Sequence, residues 1–245
     1  GWSAGAKILL PGVAGERTTA QMHLLGATEQ QLGKVDTPCR GEMEDFARAT
    51  GLDFIVNTVL NRHGHLVRAV AGHFVAAHRE GVGWAEKVYG APFEQKADIT
   101  LSSTYPVDFD LFQADKGLFS AAVCTKVGGE IVLVSPCYEG VSPTHPEAVE
   151  LGCLADEELW ELARSECCQD PLSIAEVLYF NSLKQPFRVT LATEGVSRET
   201  AGKMGFNHVG PSQLSGYLAR RLAAEPNLTV GVVRNSAETL PLYRP

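Results

Sequence analysis

Between residues 97 and 233, short apolar, β-branched runs alternate with stretches of helical period, and that alternation restricts the fold more than any other feature of the chain. Strands are expected at Ala97–Ser102, Glu130–Ser135, Phe187–Ala192 and Leu228–Val233, with helices at Leu111–Thr125, Asp156–Cys167, Leu172–Leu183 and Gln213–Ala224. Successive strands joined through helices of this length need crossover connections, which are right-handed and lay helices over a mainly parallel sheet. The fold class is therefore α/β. The upstream part reads differently. Helices are expected at Glu16–Leu25 and Glu42–Thr50, the second stopped by Gly51. A strand over Asp53–Leu60 is turned back by Arg62–His65 into Leu66–Val70, a hairpin, and a helix spans Phe74–Tyr89. Gly90-Ala-Pro92 ends that helix and places a domain boundary there, dividing the chain into 1–92 and 93–245.

Composition removes several function classes. With 44% hydrophobic residues in 245, the chain can bury one or two sizeable cores. A net charge of −8 is wrong for a nucleic-acid binder, whose phosphate contacts need a face rich in Lys and Arg. No apolar run reaches the roughly 18 to 20 residues that span a bilayer, so no membrane role is expected. The six cysteines form no CxxC pair, and adjacent Cys167 and Cys168 read as reduced thiols on a helix of a cytoplasmic protein. The first residues, Gly-Trp-Ser-Ala-Gly, carry no initiator Met and no signal peptide, which is the beginning expected of a fragment or processed chain.

In open parallel sheets, ligands collect beyond the carboxyl ends of the strands. After the strand at 97–102, Gln113 and Lys116 stand three apart near the first turn of the next helix, so both side chains leave one face. A lysine and an amide at a helix N-terminus suit a carboxylate or phosphate; an exposed lysine beside a capping Asp108 or Asp110 explains the same residues without a ligand. The loop Ser135–Gly140 after the next strand serves as a ligand loop or simply as a turn. At the amino end, small residues crowd around Lys7, where backbone amides could approach a phosphate, although the pattern is neither a Walker loop nor GxGxxG. His63-x-His65 lies in the hairpin turn with no third ligand nearby, and His73 and His78 stand at i and i+5, off a common face. His23, on the helix after the Gly-rich loop, reads alone as structural or solvent-facing. No Ser/His/Asp or Cys/His set has the local context of a known hydrolase family.

Taken together, GWSAGAKILLPG at residues 1–12, His23 sixteen residues beyond Lys7, GLDFIVN at 51–57, AGHFVAAH at 71–78, YPVDFDLFQADK at 105–116 and VGGEIVLV at 127–134 resemble the nickel-dependent lactate racemase family, in the family's order. The resemblance implies an isomerase that racemises or epimerises a small 2-hydroxy acid through a 2-keto acid, by reversible hydride transfer to a nickel-pincer nucleotide. That cofactor is pyridinium-3,5-bisthiocarboxylic acid mononucleotide. On it, Lys7 is the residue joined covalently to the cofactor and His23 the protein ligand to nickel, an imidazole beside soft sulfur donors being suited to square-planar Ni(II). Gln113 and Lys116 face substrate and cofactor, with Lys116 neutralising the substrate carboxylate. The same resemblance assigns the family's two histidine bases and an arginine to positions before Gly1. The chain is then the end of the cofactor-binding domain plus a complete second domain, with the upstream segment in the same or a second chain.

Phe112 stands where lactate-specific members carry Tyr, and Leu172 where they carry Trp, which points as much to a bulkier, more apolar acid as to lactate. His73 stands where Asp is common. Two other readings remain: a non-catalytic relative that binds the nickel cofactor or a small acid, and an ordinary nucleotide-binding α/β enzyme such as a dehydrogenase, which lacks its GxGxxG turn here.

Overall fold

The computed structural model describes residues 2–27, 31–165 and 169–245; Cys167 and Cys168, and with them the expectation of two helical thiols, lie outside this set. The chain forms two compact units, Gly1–Ala91 and Pro92–Pro245.

In the first unit, α1 (Glu16–Gly26) and α2 (Pro38–Ala49) precede the antiparallel hairpin β1 (Ile55–Leu60) and β2 (Leu66–Gly72), followed by α3 (Phe74–Tyr89). Helix α2 begins four residues before the expected start at Glu42, because Thr37 caps it, its hydroxyl accepting from the Arg40 amide at 3.1 Å, and Pro38 occupies the first turn. Ala6, Ala47, Ile55, Phe74 and Ala77 form the buried core of this unit. His73 is the N-cap of α3, where its Nδ1 accepts from the Val75 amide at 3.2 Å. That is a task an aspartate carboxylate performs equally well, and it is the physical reason a histidine can replace one here. His63 and His65 sit in the exposed hairpin turn, and among the described residues no three His, Cys, Asp or Glu side chains are grouped to hold a metal ion.

In the second unit, after β3 (Gly90–Phe93), the elements are β4 (Ala97–Ser103), α4 (Leu111–Cys124), β5 (Thr125–Val134), α5 (Ala148–Leu151), α6 (Asp156–Ser165), α7 (Pro171–Lys184), β6 (Arg188–Ala192), α8 (Arg198–Lys203), β7 (Asn207–Val209), α9 (Leu214–Ala224), β8 (Val230–Val233) and β9 (Leu240–Tyr243). Five strands form one sheet in the order β7-β6-β5-β4-β8, every neighbouring pair parallel. The expected α/β architecture is the one observed. Side chains alternate across the sheet. Ile99, Val132, Ala192 and Val209 pack against Leu214, Tyr217 and Leu218 of α9. The opposite parity faces α4: Ser102 Oγ donates to the Gly117 carbonyl at 2.8 Å, an approach so close that a Cβ on Gly117 would lie 2.6 Å from Thr104 Cγ2. None of the described helices is long and apolar enough to cross a membrane.

Candidate functional site

Lys7 sits in a short 3-10 turn, Gly5–Ile8, and its exposed side chain leaves a loop whose backbone is fixed from inside. Ala4 and Gly5 both have positive φ, 66° and 60°. A glycine is needed at the second position twice over, since a Cβ there would also lie 3.2 Å from the His78 ring. The buried Arg40 guanidinium donates to the carbonyls of Trp2, Ser3 and Ala4, and the Gly5 amide donates to Asn57 Oδ1 at 3.0 Å. The Lys7 and Leu9 amides bond to the Ala4 and Ala6 carbonyls. With the amides of Gly5, Lys7 and Leu9 committed within the unit, they are not available as the phosphate cradle the glycines suggested. The Lys7 side chain itself is exposed.

His78 completes the clamp. Its Nδ1 lies 3.0 Å from Arg79 Nη1, which can only donate, so Nε2 carries the proton and donates to the Ser3 carbonyl at 2.8 Å. Burial first, and then the Arg40 charge, hold its pKa down at about 4. A folded-state value below the ordinary one means that the neutral ring's contribution is complete above about pH 6.5 and is lost as pH falls towards 4. The expected cost between pH 7 and pH 5 is about 2 kcal/mol. His78→Gln, which keeps a donor but does not titrate, should flatten that part of the pH dependence of thermal unfolding; equal slopes in the two proteins would show that His78 does not report on the loop.

His23 lies in the last turn of α1, half-buried, with Nδ1 2.8 Å from the Thr19 carbonyl. A carbonyl has no proton to give, so Nδ1 is the donor and the lone pair is on Nε2. This is how a metal-binding imidazole is held, with its second nitrogen anchored on a backbone carbonyl. The residues therefore fit a metal that takes a single ligand from the protein and its remaining donors from a cofactor.

In the second unit, Asp110 caps α4, accepting from the Gln113 amide at 2.7 Å. The loop after β5 is tied to the same helix start: the amides of Leu111 and Phe112 donate to the Val141 carbonyl at 3.1 and 3.2 Å, and the Cys137 amide to the Asp108 carbonyl at 3.0 Å. The segment at 135–140 is thus more than a turn; it braces the start of α4. Gln113 and Lys116 are in direct contact, Lys116 Nζ donating to Gln113 Oε1 at 2.9 Å. Next to Lys116 lies a buried pair of interacting carboxyl groups that sequence reasoning missed, Asp115 and Glu176. Burial raises the Asp115 pKa to about 6, and burial together with Asp115 raises Glu176 well above the carboxylate range. The two share a proton, held by Glu176, so the floor of the site carries one negative charge rather than two.

A second missed group borders the same helix face. His145 Nδ1 lies 3.0 and 3.1 Å from the Asp170 oxygens, and its ring stacks on Phe112 with centroids 5.4 Å apart and planes 10° from parallel. Asp170 also caps α7, accepting from the Ser173 amide at 3.1 Å and the Ser173 hydroxyl at 2.6 Å. The Ser173 hydroxyl donates to the Asp170 carboxylate and, at 3.5 Å, to the His145 backbone carbonyl rather than to its imidazole, so this is no hydrolase triad. Lys7 and His23 belong to the first unit, Gln113 and Lys116 to the second, and only the latter two are shown in contact.

No protein-family model matches the chain. Two curated relatives are lactate racemases. The one from Lactiplantibacillus plantarum is 30% identical over 146 residues, and the one from Thermoanaerobacterium thermosaccharolyticum 28% identical over 146 residues. Each alignment covers 57% of this chain and 34% of the relative, so the matched stretch spans about a third of the length of those proteins. Among solved structures, the lactate racemase apoprotein from T. thermosaccharolyticum superposes with a TM-score of 0.81 at 20% identity, over 98% of this chain and 59% of that one. A protein from Thermotoga maritima superposes with a TM-score of 0.73 at 16% identity, over 99% and 63%. At these identities, the structural likeness establishes the α/β fold.

Proposed function

We propose that this lactate racemase-like chain takes part in racemising or epimerising a small 2-hydroxy acid, with a nickel-pincer nucleotide as cofactor. The observation that carries the acid-binding half of the reading is the Lys116–Gln113 pair in the first two turns of α4. On a chain of net charge −8, an anionic substrate needs a local cation, and Lys116 supplies one in the second turn of α4. Lys116 holds the substrate carboxylate, while the Gln113 amide both orients the ammonium and offers a hydrogen bond to the acid. Phe112, apolar where a tyrosine would bring a hydroxyl, gives that face more room for an apolar acid side chain.

In the first unit, Lys7 is the attachment point and His23 the nickel ligand, through Nε2. When bound, the nucleotide supplies a hydride-accepting pyridinium ring and a sulfur-ligated nickel. The clamp of Arg40, His78 and Asn57 fixes the stem from which Lys7 projects, so that attachment places the group reproducibly.

The test is the intact mass of the denatured chain purified from a cell that makes the cofactor, with peptide mapping. The wild-type chain is expected to carry a nucleotide-sized adduct on Lys7, absent in Lys7→Arg. His23→Ala should keep the adduct while losing bound nickel, measured by elemental analysis. An unmodified Lys7 in that cell would reject the cofactor assignment.

A further inference from the structure

We infer that His145, held by Asp170, is a further substrate-contact residue of the Gln113–Lys116 site, binding the 2-oxygen of the acid. This rests on the function proposed above. The geometry restricts the imidazole on two sides. The carboxylate of Asp170, already accepting two hydrogen bonds from Ser173, takes the Nδ1 proton and leaves the lone pair on Nε2. The Phe112 ring covers one face of the imidazole. Asp170 is complete as a helix cap with Ser173 alone, so the cap does not require a histidine.

Phe112 and Lys116 stand one helical turn apart on the same face of α4, about 5–6 Å between Cβ atoms at such a spacing. An imidazole stacked on Phe112 therefore borders the space next to the Lys116 ammonium. In a 2-hydroxy acid, the hydroxyl oxygen is two bonds from the carboxylate carbon. A carboxylate on Lys116 thus puts its own 2-oxygen beside the carboxylate, on the scale of the gap that separates Lys116 from the ring stacked on Phe112. Nε2 is then placed to accept a hydrogen bond from the 2-hydroxyl, while Asp170 holds the ring through Nδ1.

Glycolate and acetate separate the contacts without involving any acid side chain, because they differ only by the 2-hydroxyl. With the 245-residue chain labelled in its histidines, glycolate is expected to shift the His145 Nε2 resonance, and acetate is not. His145→Phe, which keeps a ring to stack on Phe112, should weaken glycolate about 10-fold and leave acetate unchanged, the loss expected for one hydrogen bond to a polar group. Lys116→Met should weaken both acids. Asp170→Asn, whose amide can still cap α7, should reproduce the loss selective for glycolate and covers the case in which His145→Phe is poorly folded. Equal glycolate binding in wild type and His145→Phe, with no shift at His145, overturns the inference, and the proposed function stands if Lys116→Met still weakens both acids. If Lys116→Met weakens neither acid, both fall.

Discussion

On the function proposed above, Lys116→Ala is expected to lower the turnover of a 2-hydroxy acid by about 100-fold in kcat/KM while leaving the fold intact. The size follows from what is removed. Losing a charge-assisted contact to a carboxylate costs about 2–5 kcal/mol when the partner is left unpaired, and the lower end applies to a side chain that is 48% exposed. Stability should barely move. Lys116 makes its one close bond to Gln113, and its attraction for Asp115 acts at 4.0 Å. Removing the lysine takes away an influence that lowers the Asp115 pKa, so the pair can take up a second proton rather than strand the one charge it carries. Lys116→Arg keeps the cation and should recover part of the loss, whereas Lys116→Met should not. The measurement is steady-state turnover of the cofactor-loaded protein beside its melting temperature. A variant within three-fold of wild type would mean that the carboxylate is held elsewhere.

The parts of this site that could be read from sequence are those whose geometry is local. Gln113 and Lys116 stand at i and i+3, a spacing that brings them together on any helix, and the contact is there. The parallel sheet was equally readable, because each strand's apolar run is separated from the next by a helix of sufficient length. What escaped was tertiary. His145 and Asp170 are 25 residues apart and meet only because the loop after β5 folds over the start of α7. Asp115 and Glu176 come from α4 and α7 and pair only once those helices pack together. Short elements escaped as well: α8 has six residues and β7 three, too few for a period to show, although Ser197 at the α8 N-cap was a usable signal. Capping chemistry accounts for the early start of α2, since Thr37-Pro38 is a start signal that apolar periodicity does not register. His23 is the intermediate case. Its spacing from Lys7 carried a resemblance, but its fitness as a ligand depends on the tautomer that Thr19 imposes, which only the fold displays.

Gly195→Ala is expected to destabilise the second unit by about 3–5 kcal/mol and to disable acid binding with it, although Gly195 touches none of the groups assigned to the site. Gly195 follows β6, and its amide donates to the Pro136 carbonyl at 2.9 Å, clamping the loop after β5. Thr193 Oγ1 reinforces the clamp, donating to the same carbonyl at 2.8 Å. The backbones approach so closely that a Cβ on Gly195 would lie 1.7 Å from the Cys137 carbonyl oxygen and 2.3 Å from its carbon. No flexible side chain can move aside, because both atoms are backbone. Cys137 has little freedom to yield: its φ is already 46°, and its amide is bonded to the Asp108 carbonyl at 3.0 Å. The displacement therefore passes along residues 137–141 to the carbonyls of Gly140 and Val141, which hold the amides of Leu111 and Phe112 at the start of α4. Gln113 sits in that turn and Lys116 in the next, and His145 lies a few residues beyond on the displaced loop. Thermal unfolding should show the second unit melting about 10 °C lower, with Lys116-dependent carboxylate binding weakened even below the transition. A change under 1 kcal/mol would mean that the loops at the carboxyl ends of β5 and β6 separate readily, and the rigid bracing of the acid-binding turn would have to be abandoned.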